Sequence, residues 1–289
     1  MSRALSSIEK QSWQNLEVVV VDDNGLDTKE QILTAQVVDR FQERLQIVYL
    51  ANKLNVGGAA ARNIGVQHSQ GDYLAFLDDD DEWLPQFLDR GIEKLEVSDN
   101  SVVYCDCFIV TEENPDNRRL EVNRKYDGIV RDHLLSGWCP SSTSLFIVKR
   151  ETLDASQNTI MFDENLKSFQ DFDCWLAISH QCRFVSHQEA LVIKHRHSRE
   201  QITTNTDNRR KALQILAEKW LSTLNEHEQD IFKKTLGSLE SDILIMEFEI
   251  SIRNRQLTQS MSRAWRFLTF ETFSVRSWTA LLKTVIRSF

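Results

Sequence analysis

Proline is nearly absent from this chain of 289 residues, with three, and glycine is sparse, with nine. That composition excludes collagen-like repeats and long disordered stretches. No apolar run reaches the ~18 residues that a membrane span needs. The start, Met1 to Lys10, reads as an amphipathic helix, not as a leader peptide. Cys105, Cys107, Cys139, Cys174 and Cys182 are odd in number and include no Cys-x-x-Cys pair. They read as reduced, buried thiols of a cytosolic chain and not as zinc ligands. Both Gly-x-x-x-x-Gly-Lys-Ser/Thr and Gly-x-Gly-x-x-Gly are missing, which speaks against P-loop enzymes and dehydrogenases. Positive charge is in deficit, with 34 Lys and Arg against 43 Asp and Glu, a net −9. Such a chain is a poor generic partner for nucleic acid. It suits a protein that gathers carboxylates around a cation.

Helix and strand patterns alternate through the first half. Helices are expected over 3–11, 28–43 and 57–69, and strands over Glu17–Val21, Gln46–Leu50 and Tyr73–Leu77. The 57–69 helix, GGAAARNIGVQHS, carries small residues that let it pack close to a sheet. Further strands are expected over 101–110, 144–149 and 183–195, with a helix over 171–180. This alternation argues for a mostly parallel, three-layer α/β sheet. From about 208 the pattern becomes helical, broken near Asn225, and ends in a basic stretch over 254–289.

Carboxylates gather where two of the strands end, which is where α/β sheets bind ligands. In Asp78-Asp79-Asp80-Asp81-Glu82, an extended backbone points Asp78 and Asp80 to the same side. Two carboxylates there suit Mg²⁺ or Mn²⁺, completed by substrate phosphates; a solvated acidic turn is the plain alternative. Asp22-Asp23-Asn24-Gly25 is either a ligand-reading strand end or an Asp/Asn/Gly turn. Asp171 is either a helix N-cap or a general base. His195 and His197 flank Arg196 after a strand, a pattern that can meet a diphosphate or a metal.

The segments VVVVDDNGLD (18–27), NVGGAAARNIGV (55–66), GDYLAFLDDDDEW (71–83), SFQDFDCWL (168–176) and HRHSREQITTN (195–205) occur in a specific order. In that order the chain resembles family 2 glycosyltransferases, whose catalytic domain has the GT-A fold, a Rossmann-like three-layer mixed sheet. The resemblance covers residues 1–206 and leaves 207–289 as a helical extension. It implies a donor nucleotide-diphosphate sugar bound by Asp22, Asp23, Asn55, Gly57, Arg62, Asn63, Asp78, Asp79 and His197. It further implies a cation on Asp80 and Asp78, and Asp171 as catalytic base for inverting, single-displacement transfer to an acceptor hydroxyl. Family acceptors are often glycans or lipid-linked. Peripheral contact of the basic 254–289 region with the inner face of a membrane fits such acceptors, and a helical cap on the sheet fits the same residues.

Two departures stand out. The family's Glu-Asp pair is Gln170-Asp171 here. Family members also begin with a strand ending in a Pro-Thr-Tyr-Asn-like turn, whereas this chain starts inside the first helix. Neighbouring strands are then expected to keep unpaired edges. A truncated product, a mis-assigned start and a degenerate, inactive copy all fit that departure. An Asp-dependent hydrolase is the remaining rival, either a glycosidase with paired carboxylates or a phosphatase-like Asp-x-Asp enzyme, although Glu82 stands where the latter pattern wants Thr or Val.

Overall fold

The computed structural model describes residues 1–97, 99–154, 162–196 and 205–253. His197 and the basic stretch 254–289 therefore lie outside the described residues.

The chain opens with α1 (Ser2–Glu9), β1 (Val18–Asp22), α2 (Lys29–Asp39), β2 (Ile47–Ala51) and α3 (Gly58–His68). Thr28 starts α2, its hydroxyl accepting the Gln31 N–H at 3.1 Å. β1 and β2 pair in parallel, Val18 opposite Ile47 through Asp22 opposite Ala51. Leu5, Val18, Val20, Val38 and Phe41 form the core under this pair. α3 comes close because its contact face is small: Ala59 and Ala60 are buried, and a Cβ on Gly65 would stand 3.6 Å from Val21.

β3 (Tyr73–Ala75), β4 (Glu82–Trp83), α4 (Phe87–Glu96), β5 (Val102–Thr111), β6 (Asn114–Glu121) and α5 (Arg131–Leu135) follow. Then come β7 (Phe146–Lys149), α6 (Arg150–Asp154), α7 (Gln170–Ile178) and β8 (Phe184–Arg196). These strands make a second sheet of order β3-β7-β5-β8-β4, with β6 paired to β5. Among the described residues β1 pairs only with β2 and β3 only with β7, so each keeps a free edge.

Two expectations are corrected. The strands are not mostly parallel. β1–β2 and β5–β8 are parallel, while β3–β7, β4–β8, β5–β6 and β5–β7 are antiparallel. The third strand stops at Ala75 instead of Leu77. Its ladder with β7 ends at Ala75 opposite Ile147, and Leu77 would fall opposite Leu145, which lies in the 3₁₀ turn over Thr143–Leu145. Residues 76–78 therefore lead the chain, unpaired, into the acidic loop.

Two compact units result. The first holds both sheets. The second takes Leu135–Gly137, Asn165–Phe169 and the described residues beyond 200, chiefly α8 (Thr206–Leu221) and α9 (Glu226–Arg253). The break near Asn225 is a reciprocal cap: the Asn225 side chain accepts the Glu228 N–H at 3.0 Å, and Glu228 accepts the Asn225 N–H at 3.1 Å. Arg210 ties α8 to α9 through Glu240 and, at 2.8 Å, Glu247.

Candidate active site

The first acidic turn is built inward. Asp22 ends β1 and is buried. Its Oδ1 accepts the Asn24 backbone N–H at 3.0 Å and the Asn24 amide at 2.7 Å, and its Oδ2 accepts the Tyr49 hydroxyl at 2.7 Å. Asp23 reaches the 52–57 segment. It accepts from the Asn52 side chain at 2.9 Å, the Val56 N–H at 2.8 Å and the Gly57 N–H at 2.7 Å. Asn55 is exposed and donates to the Asp23 carbonyl at 2.8 Å. Gly57 precedes α3 at φ +93°, a conformation that needs a residue without Cβ. The turn and ligand alternatives meet here, because a turn consumes the carboxylate oxygens.

α3 then presents Arg62 and Asn63, which both engage Phe162. Asn63 is buried and clamps Phe162, donating to its carbonyl at 2.9 Å and accepting its N–H at 3.0 Å, while also donating to Glu164 at 3.0 Å. The Arg62 guanidinium donates to Asp78 Oδ1 at 2.8 Å and to Gln170 Oε1 at 3.1 Å, and stands 5.5 Å over the Phe162 ring.

The second acidic turn is the loop after β3. The Asp78 backbone N–H donates to the Ser144 hydroxyl at 3.1 Å, and its Oδ2 accepts from Ser142 at 3.3 Å. Asp79 is exposed, Asp80 half-buried and Asp81 buried. Burial, with the negative charges of Asp78 and Asp80 beside it, pushes the Asp81 carboxyl up to about 7. The loop thus concentrates anionic oxygen of the hard type that Mg²⁺ or Mn²⁺ prefers. Among the described residues no three His, Cys, Asp or Glu side chains are grouped to hold a metal alone. A cation here would complete its shell with ligand oxygens.

Asp171 stands in the first turn of α7, where its Oδ1 accepts the Phe172 N–H at 2.9 Å. Desolvation raises its carboxyl above the ordinary carboxylate value, while that hydrogen bond and the Arg62 charge pull it back. Asp171 therefore shares one electrostatic neighbourhood with Arg62 and Asp78. His195 lies on β8, with Nε2 2.6 Å from Glu82 Oε1.

Arg62, Asp78 and Asp171 thus meet, with Asp80 and Asp81 beside them. Asp22, Asp23 and Asn63 point into the scaffold. Sequence reasoning overlooked Ser142, Ser144 and Phe162. The one signal for the serines was the Pro-Ser-Ser-Thr-Ser run before an apolar segment, a turn pattern whose contact lies more than sixty positions away at Asp78.

The sequence model described as "Glycosyl transferase family 2" matches residues 1–155, more than half of the chain. The chain belongs to this family. It is 25 % identical over 246 residues to an uncharacterised glycosyltransferase of Rickettsia conorii, covering 82 % of this chain and 38 % of that one. It is 31 % identical over 179 residues to the amylovoran biosynthesis glycosyltransferase AmsB of Erwinia amylovora, covering 58 % and 56 %. The chain thus spans well under two thirds of the length of these two relatives. Among solved structures, S. aureus TarS 1–349 in complex with UDP-GlcNAc is similar at a TM-score of 0.65 and 19 % identity, over 95 % of this chain and 78 % of that one. That likeness is one of fold, and it bears out GT-A. This family member is a glycosyltransferase.

Proposed function

We propose that the chain transfers a sugar from a nucleoside-diphosphate sugar to an acceptor hydroxyl by a metal-dependent, inverting single displacement. The convergence of Arg62, Asp78 and Asp171 carries this reading. Three requirements of the reaction meet there: oxygens for a cation, a positive charge for phosphate, and a carboxylate base. Asp171 takes the proton of the acceptor hydroxyl as that oxygen attacks the anomeric carbon. The bond from that carbon to the diphosphate breaks on the opposite face, and the diphosphate leaves with the electron pair. Asp78 and Asp80 would hold Mg²⁺ or Mn²⁺, which when bound would offset the charge of the leaving group. Arg62 trades its contact with Asp78 for a phosphate oxygen. Asp79 and His197 complete the diphosphate contacts.

Asp22, Asp23 and Asn63 act as positioning residues for the nucleotide pocket, and Asn55 and Gly57 line it. Residues 1–206 form the transferase domain, with 207–289 appended to it. The UDP-GlcNAc complex of the fold relative makes UDP the first nucleotide to test. The amylovoran relative supports a place in cell-surface or exopolysaccharide synthesis, on a glycan or lipid-linked acceptor. Cytoplasmic placement with the basic 254–289 segment against the inner membrane face follows from such an acceptor.

The test is calorimetric titration of UDP with and without Mn²⁺, beside the release of UDP from UDP-sugars. Mn²⁺-dependent binding that Asp80→Asn abolishes is the expected result. Absence of binding by the unaltered chain to any nucleoside diphosphate sinks the reading. The unpaired edges of β1 and β3 favour a second reading, a chain that binds the donor but does not transfer. Binding without turnover identifies it.

A further inference from the structure

A groove of about 290 Å³ lies between α1, β4 and the middle of β6. Arg3, Lys10, Arg118 and Glu82 line it, over a floor of the buried apolar Trp83 and Ile193. None of the residues assigned above to the donor, the cation or the base lines it. The groove nevertheless begins one residue after Asp81, because Glu82 belongs to the same acidic run.

The charge here runs against that of the chain. The whole protein carries −9, yet three cations surround this groove and one carboxylate enters it. That carboxylate is already engaged: Glu82 contacts His195 at 2.6 Å and Arg3 at 4.0 Å. Among the described residues Lys10 and Arg118 have no ion-pair partner. Cations left unpaired around a concave surface in an acidic protein repel one another and attract an anion. The apolar floor lowers the local dielectric and strengthens that attraction. The volume sits near the lower end of small-ligand sites, which run from roughly 300 Å³ upward.

We propose that this groove is an acceptor subsite for a glycan that carries anionic groups, phosphate or carboxylate, along its chain. The inference rests on the transferase reading above and adds the charge class of its acceptor. An anionic unit held by Lys10 and Arg118 would lie in a groove that Glu82 joins to the acidic loop, since Glu82 directly follows Asp81. The acidic loop itself repels such a polymer, so the cations of the groove supply the attraction that the catalytic end cannot.

The experiment titrates the full chain with two anionic probes, oligo-mannuronate and oligo(glycerol phosphate), and with neutral malto-oligosaccharide of equal length. UDP with Mn²⁺ is titrated in parallel. Saturable binding of at least one anionic probe is expected, absent for the neutral one and weakened by raising NaCl from 50 to 300 mM, as screening requires. The probe that binds tells phosphate from carboxylate. The double variant Lys10→Gln, Arg118→Gln should weaken that binding about tenfold or more and leave UDP binding unchanged. Both side chains are exposed, and an unaltered melting curve checks the fold. Equal binding of the neutral probe, an unaffected double variant, or displacement of the anionic probe by UDP overturns the proposal. Loss of UDP binding by the unaltered chain sinks the donor-site reading instead and leaves binding at the groove to be judged by its own titration.

Discussion

The two acidic turns of the first unit look alike in sequence and differ in what their oxygens do. The Asp22 and Asp23 carboxylates accept six hydrogen bonds between them, from Asn24, Tyr49, Asn52, Val56 and Gly57. Those bonds fix the backbone that leads into α3. In the other turn, burial and then the neighbouring charges of Asp78 and Asp80 push the Asp81 carboxyl up to about 7. A strand end crowded with acid is thus two different devices. One is satisfied internally and positions the chain. The other holds charge that something else must offset.

The largest effect that tests this contrast is chemical. Asp171→Asn should lower transfer by about 10²–10⁴-fold, the range for losing a catalytic base, and Asp80→Asn should abolish Mn²⁺-dependent transfer by removing a cation ligand, both with little change in melting temperature. A radiolabelled-sugar transfer assay reads this. Near-normal transfer by Asp171→Asn would falsify its assignment as the base.

The next effect is on stability. Asp23→Ala strands the Val56 and Gly57 N–H groups and should cost roughly 2–3 kcal/mol, read by urea unfolding. The matching change in the second turn carries the opposite sign. Asp81→Asn removes a buried charge beside Asp78 and Asp80, and should stabilise the metal-free protein by about 1–2 kcal/mol at pH 8. If both changes destabilise equally, the contrast between the turns collapses. Tyr49→Phe is smaller still: it deletes one donor to Asp22 and should cost about 1 kcal/mol.

The subtlest test is a pH profile. Burial raises the Asp171 carboxyl in the folded chain above its ordinary 3.8. Its protonated form therefore favours the fold. That contribution is full below the ordinary value and is lost as pH rises through the raised one. Activity runs the other way, because the base must be ionised. The acid limb of kcat/KM should lie above that of a solvated aspartate. Arg62→Gln removes a charge that pulls the Asp171 value down, so the limb should move further up. A limb that moves down, or stays put, separates Arg62 from Asp171.

Much of the fold was legible because burial writes a period into the chain. VVVV at 18–21 and VVYCDCFIV at 102–110 read as strands because both faces pack, and α2, α3 and α7 showed helical spacing. β6 was not legible. Asn-Pro-Asp-Asn-Arg-Arg-Leu-Glu is exposed almost throughout, so no apolar alternation marks it, and its pairing with β5 defines it. β4, two residues long, is likewise defined by β8. At the site, the acids were visible as letters, but their occupancy was not. Nothing local says that Asp22 meets Tyr49, or that Ser142 reaches Asp78, because both contacts arise from strands brought together over long separations. Gln170, read as a departure, holds Arg62 by its amide oxygen and leaves Asp78 as the carboxylate that Arg62 contacts.

The pairing of β5 with β8 sets the order in which all of this can form. Val102 lies beside Phe184 and Thr111 beside Arg196, in parallel, more than eighty positions apart. Closing so long a loop costs chain entropy before the ladder returns any energy, and such non-local pairing slows folding. Synthesis delivers Asp78 long before β8 has been made. Asp171 and the strand that follows it arrive together and late. The acidic loop therefore waits, while the chain from Asp79 through β8 is made, for the residues that make its charge useful.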